Sequence, residues 1–281
     1  MTSFLLALPL AAAAQDVTKE SYDQLRFRHI GPVGNRTISV AGIASDETTY
    51  FVGAASGGIW KTTDKGLTWR PVFDKEPVHA IGSLAVAPSD PKVVWAGTGE
   101  TFIRSNVSIG NGVWKSMDGG ETWKHMGLEG TGRIGRMIVH PQDPDIVYAA
   151  VLGHGYAPQP EKGIFRTKDG GKSWDKVLFV DEKTGASDLV MDPKNPRTLF
   201  AGMWQLEIKT WGRESGGPSS AIYVTRDGGD TWARLQGNGL PKLPVGKIAL
   251  CMTPRDPNRV YALIETGDGV PWHGEETESG E

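Results

Sequence analysis

Four carboxylates stand where hydrolytic chemistry would need them. Glu100, Asp188, Glu207 and Glu214 lie in or beside segments whose length varies between otherwise repeated stretches of a 281-residue chain. Glycoside hydrolysis uses two such groups across a cleft, about 5 to 5.5 Å apart for retention and about 6.5 to 9.5 Å apart for inversion. The same segments carry Arg104, His154, Tyr156, Trp204, Trp211 and Arg213, and the starts of later repeats carry Arg133 and Arg136. Arginine offers a fork of donors to an anionic partner, while tryptophan and tyrosine offer area to a sugar ring or a peptide. These eight form the candidate ligand-binding set, and the four carboxylates form the candidate catalytic set. Each has a plainer alternative, because a Trp on such a segment is equally a lid over the core.

Other chemistries lack their residues. His29, His79, His125, His140, His154 and His273 show no HxH or HExxH spacing, and with Cys251 the only cysteine there is no cysteine cluster and no intrachain disulfide. The Gly-Gly pairs lack the context of a phosphate loop, and no GxSxG elbow exists. No metal and no cofactor is expected. Cys251 sits in the apolar run Ile248 to Met252 and reads as a small buried core residue. Thirty Lys plus Arg against 33 Asp plus Glu leave a formal charge of −3, too little basic field for nucleic acid.

The uncharged run Phe4 to Ala14 closes on four alanines, Ala12 to Ala14 giving the small-x-small pattern, which reads as a signal peptide over 1–14 and places the protein in the periplasm or outside the cell. It is shorter than the roughly 20 apolar residues of a membrane span, so no membrane insertion is expected.

A repeat sets the scaffold that must position these residues. TTDKGLTW from Thr62, SMDGGETW from Ser116, TKDGGKSW from Thr167 and TRDGGDTW from Thr225 share one pattern, with Asp64, Asp118, Asp169 and Asp227 spaced by 54, 51 and 58 residues. A second signature runs in phase: an alternating strand, an Asp-Pro or Asn-Pro turn at Pro91, Pro144, Pro196 and Pro257, then another strand. Each period holds four strand-like runs punctuated by Gly, Asp and Pro, which is the blade of a β-propeller. The fold class is therefore all-β, a propeller of four-stranded blades over 15–281. The next boxed Asp falls due at about 282 to 288 by the same period, so the reading is about four and a half blades, an incomplete arc of a larger propeller whose further blades are missing partners. The repeated Asp and Trp read as scaffold, Asp bonding within its turn and Trp packing between blades. Function belongs instead on the opposite ends of the strands, in 99–111, 153–162, 203–220 and 265–279.

The boxed pattern resembles the Asp-box, or BNR repeat, of sialidases, xyloglucan-active hydrolases, photosystem assembly factors and the sortilin propeller. The succession RHIGPVGNRTISVAG, AASGGIWKTTDKGLTW, GVWKSMDGGETWKHMGL and IGRMIVHPQDPDIVYAA is similar to the bacterial exported sortilin-N-terminal-like proteins, often labelled glycosyl hydrolase. That resemblance implies a propeller that binds a peptide, protein or glycan on its loop face. The alternative it implies is a glycoside hydrolase with paired carboxylates.

Overall fold

The computed structural model describes residues 36–103 and 106–266, and all of them belong to one compact unit. The expected signal peptide, Arg104 and most of 265–279 lie outside the described residues.

Four antiparallel four-stranded blades follow one another. The first holds β1 (Thr37–Ile43), β2 (Asp46–Ala54), β3 (Ile59–Thr62) and β4 (Arg70–Pro71). The second holds β5 (Ile81–Val86), β6 (Val94–Thr98), β7 (Val113–Ser116) and β8 (Lys124–His125). The third holds β9 (Ile134–Val139), β10 (Val147–Val151), β11 (Gly163–Thr167) and β12 (Asp175–Leu178). In the fourth, β13 (Thr184–Met191), β14 (Leu199–Lys209), β16 (Ala221–Thr225) and β17 (Ala233–Arg234) form the blade, and β15 (Gly212–Ser215) pairs with the far end of β14. Then β18 (Val245–Thr253) and β19 (Asp256–Thr266) pair with each other. The innermost strands β1, β5, β9, β13 and β18 neighbour one another in that order, while β1 and β18 do not pack together as the successive pairs do. The result is an open arc of propeller blades.

Alternation explains how one short strand serves two interfaces. Successive side chains point to opposite faces, so Val94 and Ala96 join the seam with the first blade, and Val93 and Trp95 join the seam with the third. Likewise Val147 and Ala149 face backward while Tyr148 and Ala150 face forward. The core therefore sits in the seams between blades rather than inside any one sheet.

The Asp-box closes each blade between its third and fourth strands. Thr62 Oγ1 donates to Asp64 Oδ1 at 2.7 Å, Thr68 N and Oγ1 donate to the same carboxylate at 2.9 and 2.6 Å, and Gly66 N donates back to Thr62 Oγ1 at 3.0 Å. Asp118, Asp169 and Asp227 repeat these bonds with their own Ser or Thr partners. The closing tryptophans reach the preceding blade: Trp123 Nε1 donates to Val72 O at 2.9 Å, Trp174 Nε1 donates to Met126 O at 2.7 Å, and Trp232 packs against the buried cluster that holds Tyr148. A cation on the third strand reaches forward in turn. Lys61 donates to Gly119 O at 2.8 Å, Lys115 pairs with Asp145 at 2.9 Å, and Arg166 donates to Gly228 O and Asp230 at 2.6 and 2.7 Å.

Two expectations are corrected. Residues 203–220 are mostly strand, because Trp204, Leu206 and Ile208 alternate with Gln205, Glu207 and Lys209 and carry β14 outward into a hairpin with β15. Cys251 is exposed, not buried, because it stands opposite Tyr261 on the outward face of β18 and β19 while Ile248 and Leu250 take the inward one.

Candidate functional site

Each strand pair of a blade ends at the Asp-box on one side and at the connection between its second and third strands on the other. The candidate residues gather on the second side, but they do not share one environment.

The four carboxylates are all engaged. Glu100 is fully buried, pairs with Arg36 at 2.7 Å and accepts from Ser108 N at 3.3 Å, which fastens the 99–112 connection to the first blade. Asp188 lies in β13 rather than in a connection, accepts from Arg136 Nε at 2.8 Å, and receives Leu189 N and Leu250 N at 2.9 and 2.8 Å. Glu207 and Glu214 are cross-strand partners in the β14–β15 hairpin. Lys209 Nζ stands between them, 3.2 Å from Glu207 and 2.6 Å from Glu214, and Lys183 lies 2.8 Å from the other oxygen of Glu207. Lys183 first, and Lys209 with it, hold the Glu207 carboxyl below the usual carboxylate range. A general acid needs the reverse, a carboxyl kept protonated near neutral pH.

The arginines and His154 divide by burial. Arg133 is fully buried instead of open to a ligand; Nη1 donates to Gly153 O at 3.1 Å, and its carbonyl receives Leu152 N at 3.0 Å, so it anchors the start of the 152–162 connection. Burial pushes the His154 imidazole down, and Arg133 and Lys162 push it further. Arg136 pairs with Asp188, whereas Arg213 is exposed and makes only a 3.4 Å bond to Ile103 O among the described residues.

The aromatics separate in the same way. Trp204 is 3% exposed, donates Nε1 to Ser215 Oγ at 3.1 Å and packs with Leu152, Leu206 and Ile208. Trp211 at the hairpin tip is 83% exposed and Tyr156 is 50% exposed. Trp211 and Tyr156 line one concavity of about 720 Å³ with Ile103, Ile208 and Arg213. An adjoining cavity of about 240 Å³ is walled by Phe102, Trp204, Arg213, Lys247 and Glu265. A third, of about 210 Å³, runs from Phe102 and Trp204 down the innermost strands past Arg136 and Asp188. Half-exposed Phe102 and half-buried Lys247 belong to this surface although neither stood in the candidate sets. A Phe inside a length-variable connection was the available signal for the first.

This face offers stacking surface, two cations without a carboxylate in contact among the described residues, and carboxylates held in ion pairs. It is suited to holding a ligand with flat apolar faces and polar edges.

Comparison with known proteins places the scaffold. The Sortilin-Vps10 family model (sortilin, neurotensin receptor 3) matches residues 111–241. A xyloglucanase from a Paenibacillus species is 23% identical over 81% of this chain and 22% of its own length. A probable oligoxyloglucan-reducing end-specific xyloglucanase of Neosartorya fischeri is 31% identical over 59% of this chain and 20% of its own length. The chain thus spans about a fifth of the length of these relatives. Among solved structures, a GH74 enzyme of Niastella koreensis superposes with a TM-score of 0.59 at 21% identity, covering 80% of this chain and 33% of that one. The GH74 xyloglucanase of Xanthomonas campestris gives 0.59 at 16% identity, covering 80% and 34%. With its four Asp-box turns and these matches, the chain has the fold of a β-propeller arc, similar over 111–241 to the Sortilin-Vps10 model and over most of its described length to the xyloglucanases.

Proposed function

We propose that the protein is an exported glycan-active propeller, a glycoside hydrolase of the kind its xyloglucanase relatives represent, and that this arc holds the polysaccharide on its loop face. The observation that carries the reading is the aromatic surface of Phe102, Tyr156 and Trp211 over adjoining cavities, with buried Trp204 in the wall beneath. Pyranose rings have apolar faces that stack on aromatic rings, and a polysaccharide extends over several such contacts. Tyr156, Trp211, Arg213 and Phe102 contact the glycan in this reading, and Trp204 supports them from below. Hydrolysis by the whole protein draws on a carboxylate pair other than Glu100, Asp188, Glu207 and Glu214, each of which is committed to a cation.

Those same ion pairs favour a second reading, a propeller that binds a glycan without cleaving it. Affinity electrophoresis in gels containing xyloglucan tests both. Retardation that Trp211→Ala weakens supports the binding face, and release of reducing ends from the same polymer separates hydrolysis from binding alone. Migration unaffected by any β-glucan overturns both.

A further inference from the structure

We infer that the glycan taken at this face carries carboxylates, an acidic polysaccharide whose uronosyl groups sit between Lys247 and Arg213. The inference rests on the glycan-binding reading above and deepens it.

Four cations of this region are paired. Arg36, Arg136, Lys183 and Lys209 each have a carboxylate oxygen within 2.8 Å. Lys247 and Arg213 have none within 4 Å among the described residues, and both line the same cavity of about 240 Å³. Lys247 Nζ lies 5.4 Å from the Phe102 ring centroid and 5.6 Å from that of Trp204, a position that removes water from the ammonium and leaves it ring electrostatics and the longer-range attraction of Asp188 and Glu265. Arg213 spends one donor on Ile103 O at 3.4 Å and keeps the rest of its fork. The carboxylate in the cavity wall is already used, because Glu265 Oε2 accepts from Ser215 Oγ at 2.6 Å and from Lys247 N at 2.9 Å. Two cations against one carboxylate leave the cavity net positive.

A neutral sugar would leave the ammonium held against two aromatic rings with no anion in direct contact, only the longer-range attraction of Asp188 and Glu265, which is costly. A uronate would accept from Lys247 and from the Arg213 fork while its ring covers Phe102, and charge-assisted bonds of this kind are about twice as strong as neutral ones. An acidic peptide would meet the same two cations, but the open aromatic platform extending to Tyr156 and Trp211 suits a chain of rings better than one extended backbone.

The test measures equilibrium binding of the unmodified protein to polygalacturonate, its carboxyl-reduced form, neutral xyloglucan and poly-L-glutamate. Polygalacturonate is expected to bind about tenfold tighter than its reduced form, an advantage that added salt diminishes. Lys247→Gln with Arg213→Gln should remove most of that advantage, weakening polygalacturonate severalfold more than the reduced polymer. Equal affinity for the acidic and reduced polymers overturns the inference and leaves glycan binding standing. Tighter binding of poly-L-glutamate also overturns it, in favour of an acidic peptide. Binding to none of the polysaccharides overturns the inference and the reading beneath it together.

Discussion

Arg136 Nε donates to Asp188 Oδ1 at 2.8 Å, joining the innermost strands of the third and fourth blades. The other oxygen, Oδ2, receives Leu250 N at 2.8 Å, so one buried carboxylate ties three neighbouring sheets. The arrangement belongs to the repeat. At the matching place in β1 and β5, Ser39 Oγ receives Leu84 N and Ser83 Oγ receives Met137 N, each at 2.8 Å across a blade seam. Asp188 is thus the fourth blade's version of an inter-blade acceptor, made acidic and matched by an arginine.

Asp188→Ala should therefore lower the unfolding free energy by about 1–3 kcal/mol, because it strips the acceptor from the Leu250 amide and from the Arg136 guanidinium. Asp188→Asn keeps one acceptor and should cost less. Urea unfolding of the three proteins gives the order, and an alanine variant as stable as the parent would remove the tie from the account.

The two candidate tryptophans should behave oppositely. Trp211 is exposed at a hairpin tip, so Trp211→Ala should change stability by less than about 0.5 kcal/mol while weakening glycan retention. Trp204 is packed beneath Lys247 and bonded to Ser215, so Trp204→Ala should cost about 3–5 kcal/mol. Paired thermal melts and affinity gels separate surface from support.

Acid should loosen the blades through the Asp-boxes. Bonds from Thr68 hydroxyl and amide, then from Thr62, hold Asp64 at about 2, and Asp118 also comes down to about 2 although burial opposes Thr122 and Ser116. The folded values lie below the ordinary 3.8, so the unfolded chain takes up protons first as pH falls. The stabilisation is complete above about 3.8 and is lost as pH drops through about 2. Melting temperature should fall across that window, with a shallower slope in Asp118→Asn.

Lys162 should act at the other end of the scale. It is 1% exposed, and burial, reinforced by Arg133 and opposed by Asp181 and Glu207, brings its ammonium down to about 8 from 10.5. Between those values the unfolded chain holds the proton and the folded one does not, so this residue makes stability rise with pH from about 8 to 10.5. Lys162→Met should raise the melting temperature at neutral pH and abolish the rise, which a pH series of thermal melts would record.

Gly82→Ala tests how closely the inner strands approach. A Cβ there would stand 2.3 Å from Ile134 O and 2.4 Å from Gly99 O, both backbone atoms that cannot swing aside. A loss of about 1–3 kcal/mol in chemical denaturation is expected, with the neighbouring blades shifted apart.

Period and alternation alone determine the scaffold. Asp64, Asp118, Asp169 and Asp227 needed only neighbours two to four residues away to make their bonds, so their role was legible locally. Trp123 and Trp174 were legible as seam residues because the same residue type recurred at one phase of the repeat. The alternation of Trp204, Leu206 and Ile208 was also present in the sequence, yet it lay beyond the common blade length and read as a connection. Tertiary structure alone decided which charges were spent. Arg36 meets Glu100 from 64 residues away, Arg136 meets Asp188 across 52, and Lys183, Lys209 and Glu214 close around Glu207 only when the β14–β15 hairpin folds over β13. Composition counts charges without pairing them, and a carboxylate's chemistry depends on its partners within a few ångströms. The same holds for Lys247, whose place between Phe102 and Trp204 joins β18, the connection after β6 and β14, which no spacing rule relates.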